Sequence, residues 1–116
     1  MDALAAIRTK RMVRAFAARP LDPGQLDAIL DAGRHAGSSK NKQRWDFIVV
    51  EDRAQLEALS KVGPFAGHIS GAAAAVALVT PDPRGPSGSL SVVWDLGAAA
   101  QNMMLAGWAL GIGSCP

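Results

Sequence analysis

Cysteine is scarce in this 116-residue sequence, and tyrosine is absent from it. The single cysteine, Cys115, excludes an intrachain disulfide, so the sequence predicts a protein of the reducing cytoplasm. Charged residues are also few, at 19%, whereas apolar residues make up 49%. This balance excludes a disordered chain and predicts a compact protein. The length suits one domain, which we place over residues 1–116.

The sequence also predicts no targeting or membrane segment. Acidic Asp2 stands at the N-terminus with no long apolar run after it, so no signal peptide is predicted. The one stretch long enough to cross a bilayer, "SVVWDLGAAAQNMMLAGWALGIGS", contains Asp95, Gln101 and Asn102. The aspartate alone would cost about 2.5–3.5 kcal/mol near the bilayer centre. We therefore expect a buried helix of a soluble protein and no membrane partner.

Metal and nucleotide motifs are lacking as well. His35 and His68 stand outside any carboxylate or thiol pattern, so no metal site is predicted. The "GIG" at 111–113 follows a helix and lacks the third glycine of the dinucleotide-binding fingerprint. No G-x-x-x-x-G-K-[ST] sequence is present. These absences exclude the common zinc and P-loop sites.

One helix has a complete set of start signals. In "DPGQLDAILDAGRHAG", Asp22 is a natural N-cap, Pro23 suits the first helical position, and Gln25 completes a capping-box spacing. Either Gly33 or Gly37 is expected to end the helix. The residues predicted to face inward are Leu26, Ile29 and Leu30.

A second helix repeats this pattern in "DRAQLEALSKVG", with Asp52 as the cap, Gln55 three residues later and Gly63 as the stop. Its predicted inward residues are Leu56, Leu59 and Val62. A shorter helix is predicted over residues 2–10.

Two apolar runs predict strands. "DFIVV" (46–50) is apolar on both faces and is expected to be a central strand. The alanines of "AAAAVALVT" (72–80) also suit a helix, but Val76, Leu78 and Val79 favour a second buried strand. A loop over 81–89 then leads to a long helix over 91–110, closed by Gly111. The order α–α–β–α–β–loop–α predicts an α+β fold with an incomplete sheet. The side chains expected to fill the core around the long helix are Trp94, Met103, Met104 and Trp108.

Positive charge is concentrated at the front of the sequence, since nine of the twelve Lys and Arg residues lie in the first 44 positions. Two clusters stand out, "KRMVRAF" (10–16) and "SSKNKQRW" (38–45). Such clusters are solvated faces, nucleic-acid surfaces or phosphate cradles. Arg11 and Arg14, three residues apart, can address one group, and guanidinium forks suit a phosphate dianion. In the second cluster, small and polar side chains would let a flat ligand reach the backbone.

Taken together, the two clusters make the sequence resemble the nitroreductase family of FMN-dependent oxidoreductases. "IRTKRMVRAF" resembles that family's N-terminal R-R-S-x-R-x-F/Y element. "AGSSKNKQRWDFIVVED" resembles its P-S-x-x-N-x-Q-P-W-x-F-x-V-V element, and "WDLGAAAQNMMLAGWALGIGSC" resembles its long central helix. Met12 stands where serine is usual, and Arg44 stands where proline is usual. The similarity covers the whole chain, which would correspond to the N-terminal two-thirds of the family fold.

The resemblance implies a central sheet flanked by helices, a long dimer-core helix, and a homodimer with FMN at the subunit interface. The positions that would hold the FMN phosphate, ribityl chain and ring edge are Lys10, Arg11, Met12 and Arg14. The loop reaching the flavin from the partner subunit would contribute Ser38, Ser39, Asn41 and Gln43. No catalytic acid or base is assigned, because flavin hydride transfer does not require one.

The implied activity is two-electron transfer from NAD(P)H through FMN to a small acceptor such as a nitroaromatic or a quinone. Two alternatives stay open at this point: a small basic module that binds nucleic acid or an acidic partner, and a catalytically inactive fragment. Few aromatic residues lie near the cations, which disfavours base stacking. The enzyme is therefore the preferred hypothesis, with no nucleic-acid partner.

Overall fold

Within residues 1–86 and 88–116, which a computed structural model describes, four helices and two strands follow one another in the predicted order. The helices are α1 (Ala3–Thr9), α2 (Pro23–Arg34), α3 (Arg53–Leu59) and α4 (Leu90–Ala109). The strands are β1 (Asp46–Val50) and β2 (Ala75–Val79). Two short 3₁₀ turns lie at Ser39–Asn41 and Gly67–Gly71. The loop predicted over 81–89 has neither helix nor strand at 81–86 or 88–89, and Ser87 lies outside the described residues.

The centre of the fold is the packing of α2 against α4. Ile29 of α2 and Val92, Ala99 and Met103 of α4 are buried. Gly33 lies at the contact, where a Cβ atom would come within 2.8 Å of Met103 Cγ and Sδ. Of the two glycines predicted to end α2, Gly33 does not do so, because the helix continues to Arg34. This glycine instead allows close approach of the two helices.

The predicted helix starts are confirmed by their caps. In α2 the backbone N–H of Asp22 donates to Gln25 Oε1 at 3.1 Å. In α3 the N–H of Gln55 donates to Asp52 Oδ2 at 3.0 Å. These bonds satisfy backbone donors that the first helical turn leaves without partners.

The two strands pair antiparallel, with Asp46 opposite Val79 and Val50 opposite Ala75. The expectation that β1 is central is wrong for this chain, because in the described residues it has β2 as its one neighbour. Ile48 is accordingly 54% exposed. A continuous apolar run shows that both faces suit burial, but it does not supply a neighbouring strand.

The long helix α4 ends at Ala109, and Gly111, the residue predicted to close it, follows with φ +79°. The N–H of Gly111 donates to Trp108 O at 3.0 Å, and the N–H of Ile112 donates to Gly107 O at 2.8 Å. This pair of bonds is a Schellman motif, and it turns the chain back along the helix. No helix within the described ranges combines the length and apolarity needed to span a bilayer.

Burial differs from prediction at two apolar residues. Met103 is buried as expected, but Trp94 is 81% exposed and Val62 is 73% exposed. Val62 lies beyond the end of α3, so it leaves the apolar face of that helix. Trp94 lies on the side of α4 that α2 does not cover. Helical spacing identifies apolar positions, but it does not say which face has a partner.

Candidate functional site

The first predicted cluster forms an extended segment after α1, called the basic segment here and comprising residues 10–14. It pairs with the chain beyond α4, since Met12 forms a parallel bridge with Ser114 and the N–H of Val13 donates to Ser114 O at 3.0 Å. A Cβ atom at Gly113 would lie 2.7 Å from Val13 Cβ. Glycine at 113 therefore permits this close pairing, which fixes the basic segment to the turn after α4.

A side-chain bond fixes the start of the basic segment to the same helix. Trp108 Nε1 donates to Thr9 Oγ1 at 2.9 Å, and Thr9 Oγ1 donates to Ala5 O at 2.6 Å. The last residue of α1 is thus tied to the last turn of α4. Sequence reasoning placed Trp108 in the core and did not foresee this polar contact.

The cations of the basic segment differ in what they contact. Arg11 Nη1 donates to the carbonyl oxygens of Arg8, Thr9 and Lys10, at 3.4, 3.0 and 3.1 Å, and so caps the C-terminal end of α1. Arg14 is exposed, and its guanidinium has no hydrogen-bond or ion-pair partner in the described part of the chain. The structure therefore leaves Arg14 ready to bind an anion, whereas Arg11 already bonds to the backbone through one nitrogen.

The second predicted cluster forms a loop after α2, called the serine loop here and comprising residues 38–43. Three of its residues have left-handed backbone conformation: Lys40 at φ 54°, Asn41 at φ 54° and Gln43 at φ 52°. This conformation is uncommon for residues with a side chain, and asparagine tolerates it best. Backbone strain of this kind clusters at functional sites and persists only where surrounding contacts hold it.

Hydrogen bonds inside the serine loop brace it. The N–H of Gln43 donates to Ser38 Oγ at 3.0 Å, and Gln43 Nε2 donates to Asn41 Oδ1 at 2.7 Å. Ser39, Asn41 and Gln43 are exposed and Ser38 is half-buried. The loop thus presents its polar side chains at the surface.

A buried carboxylate on α4 ties the serine loop to the rest of the protein. The N–H of Ser39 donates to Asp95 Oδ2 at 3.0 Å. Asp95 is 7% exposed. Sequence reasoning did not assign Asp95 to the site, although a charged residue inside an apolar helix was a usable signal.

The two surfaces lie near opposite ends of α4 in a single chain. The serine loop is attached at Asp95, and the basic segment is attached at Trp108 and the turn that follows. At about 1.5 Å of rise per residue, these attachment points are about 20 Å apart along the helix axis. A cleft of about 430 Å³ touches Gln43 but no residue of the basic segment. One chain therefore does not bring the two predicted sets of residues together.

The sequence and the fold were compared with those of known proteins, and both match one family. The protein-family model described as Nitroreductase family matches residues 7–66 and 66–116. A relative in Archaeoglobus fulgidus, provisionally named NADH dehydrogenase/NAD(P)H nitroreductase, is 36% identical over 97% of this chain. The chain spans 65% of the length of that relative.

Solved structures agree with the fold. A protein from Bacteroides thetaiotaomicron with the same provisional name is 32% identical and has a TM-score of 0.86, over 96% of this chain and 64% of its own. A provisionally named nitroreductase from Desulfovibrio desulfuricans, solved in complex with FMN, is 28% identical and has a TM-score of 0.82. That match covers 95% of this chain and 64% of the other.

Proposed function

The chain belongs to the nitroreductase family, and we propose that it forms the FMN-binding part of an oxidoreductase. The proposed activity is transfer of two electrons from NAD(P)H, by way of FMN, to an electron-poor acceptor of the nitroaromatic or quinone class. The observation that carries the proposal is the likeness to the FMN-bound structure from Desulfovibrio desulfuricans, which extends over 95% of this chain.

The residues of the basic segment suit the phosphate of FMN. Arg14 has a free guanidinium, and Nη2 and Nε of Arg11 carry no hydrogen bond to any described residue. A guanidinium binds two phosphate oxygens at once, through a charge-assisted pair of hydrogen bonds. We assign the phosphate to Arg14 and Arg11, with Lys10 and the backbone at Met12 beside them.

The serine loop suits the flat ring of the cofactor. Small side chains at Ser38 and Ser39 allow close approach to the backbone, and the Asn41 amide offers a directional hydrogen bond. The flavin would supply the two-electron chemistry, while these residues orient the ring and limit access of water. Gln43 fixes the Asn41 side chain, since Gln43 Nε2 donates to Asn41 Oδ1 at 2.7 Å.

We propose a homodimer because the two surfaces are attached about 20 Å apart along α4. A second copy would place the serine loop of one subunit against the basic segment of the other. Exposed apolar side chains flank both attachment points and would be buried in such an interface: Leu4 and Ile7 of α1, and Leu90, Val93 and Trp94 of α4.

A titration with FMN tests the proposal, and Arg19 provides a matched control. Arg19 is an exposed cation five residues beyond Arg14 and outside the basic segment. Removal of a charged hydrogen-bonding group costs about 1.5–3 kcal/mol, so we expect Arg14→Ala to weaken FMN binding about ten- to hundredfold. Arg19→Ala should leave the dissociation constant unchanged. Flavin fluorescence or absorbance gives the measurement.

The same variants separate a flavoprotein from a nucleic-acid module. For an oligonucleotide, each exposed cation contributes by neutralising phosphate, so Arg14→Ala and Arg19→Ala would weaken binding alike and with a steep salt dependence. Absence of FMN binding by the unmodified chain, together with that pattern, would overturn the proposed function.

A further inference from the structure

Asp95 is a buried charge that the proposed flavin chemistry does not use. It interrupts the apolar sequence of α4 at a position that is 7% exposed. Removing a carboxylate from water is unfavourable unless hydrogen bonds compensate. Among the described residues, the hydrogen bond that Asp95 accepts comes from the N–H of Ser39, at 3.0 Å. A carboxylate at this buried position is therefore best explained by the part of the protein that it holds in place.

The serine loop needs an external anchor. Lys40, Asn41 and Gln43 all have left-handed backbone conformation, which non-glycine residues adopt only when contacts impose it. The bonds from Gln43 to Ser38 and to Asn41 lie within the loop, so they fix its shape but not its position. Within the described residues, the bond to Asp95 is the hydrogen bond that joins residues 38–43 to another element.

We propose that Asp95 is the positioning residue of the serine loop. Its carboxylate fixes the loop on α4 in the position needed to meet the flavin ring. The assignment of the flavin rests on the proposed function, whereas the anchoring does not. Asp95 acts through Ser39 and does not itself touch the ring.

The chemistry of the carboxylate explains why an aspartate suits this position. An ionised carboxylate only accepts hydrogen bonds, and a charge-assisted bond to a backbone N–H is stronger than a neutral one. Asparagine keeps the shape and one accepting oxygen but loses the charge. Alanine loses the acceptor altogether. The anchoring should therefore weaken in the order Asp, Asn, Ala.

Amide hydrogen exchange followed by NMR on the FMN-free protein tests the anchoring. In Asp95→Ala we expect the Ser39 N–H to exchange about ten- to hundredfold faster, the factor expected when a charge-assisted hydrogen bond is lost. Asp95→Asn should be intermediate. Gln101→Ala changes an exposed residue of the same helix and is the control. It should not alter the exchange rate of the Ser39 N–H.

Exchange at Met103, in the core of α4, separates local release from general unfolding. If Ser39 accelerates while Met103 does not, the loop has been released alone and the proposal is supported. If both accelerate by the same factor in Asp95→Ala and in the isosteric Asp95→Asn, or if neither changes, Asp95 does not position the loop and the proposal is overturned.

FMN titration of the same variants extends the test to the cofactor. The apparent dissociation constant should rise in inverse proportion to the fraction of molecules with the loop in place, so the rise should be larger in Asp95→Ala than in Asp95→Asn. It reaches about tenfold where the loop is in place in about a tenth of the molecules. A rise limited to Asp95→Ala and Asp95→Asn supports the proposal. Unchanged FMN binding in both variants overturns the link to the flavin while leaving the proposed function intact. If the unmodified chain binds no FMN, the proposed function fails, and the exchange data still decide the anchoring.

Discussion

Single residues set how closely α2 and α4 approach each other. A Cβ atom at Gly33 would lie 2.8 Å from Met103 Sδ and 3.2 Å from Phe47 Cε2. Met103 is 6% exposed, so its side chain is confined by surrounding atoms. By contrast, a Cβ atom at Gly24, near the start of the same helix, would meet no other part of the protein within 4 Å. The two glycines therefore provide a matched pair.

We expect Gly33→Ala to destabilise the protein and Gly24→Ala not to do so. An added methyl group in a packed contact typically costs about 1–3 kcal/mol, whereas alanine in an open helical position is favoured over glycine. The free energy of unfolding from urea titrations should be lower for Gly33→Ala than for Gly24→Ala by about 1–3 kcal/mol. Equal values would show that Met103 and Phe47 move aside freely.

At the scale of elements, the turn after α4 fixes the basic segment. Gly113 runs beside Val13 so closely that a Cβ atom would lie 2.7–2.9 Å from three atoms of the valine side chain. The Met12–Ser114 bridge depends on this approach. Because Arg14 follows Val13 directly, its position depends on the same pairing.

Gly113→Ala should therefore disturb both stability and cofactor binding. The overpacked pairing should lower the free energy of unfolding by about 1–3 kcal/mol. Displacement of the basic segment should weaken FMN binding, measured by fluorescence titration. Gly63→Ala, at an exposed turn with nothing within 4 Å, is the control and should change neither quantity. Weakened stability with unchanged FMN affinity would contradict the link between this pairing and the proposed phosphate site.

Local sequence patterns predicted some features of the helices and strands but not others. Capping residues such as Asp22 and Asp52 predicted the helix starts correctly, because a cap depends on neighbours three residues away. Gly33 was misassigned because a glycine that ends a helix and one that packs against another helix look alike in sequence. The bond from Ser39 to Asp95 joins residues 56 positions apart, so no local pattern could show it. The two clusters could be predicted as a shared site only from the resemblance, and their residue roles remain predictions.

At the scale of the whole molecule, apolar side chains remain uncovered on one face of α4, where Leu90 and Trp94 lie four residues apart. Leu90 and Trp94 of α4 are both 81% exposed, and Trp94 precedes Asp95 directly. Exposed apolar side chains next to the residue that holds the serine loop are expected if that loop meets a second subunit. Such a subunit would also provide the basic segment that one chain holds about 20 Å away.

Trp94→Glu should therefore weaken self-association. A tryptophan at the centre of an interface contributes about 2 kcal/mol or more, so the dimer dissociation constant should rise about thirtyfold or more. Sedimentation velocity over a range of protein concentrations measures it. Phe65→Glu replaces a side chain that is 90% exposed in the segment after α3 and serves as the control, with no change expected. A chain that is monomeric throughout the range, or a Trp94 variant that associates as the unmodified chain does, would rule out this face as the dimer interface. Because the proposed site needs both surfaces, FMN affinity in the Trp94 variant should fall together with dimer formation.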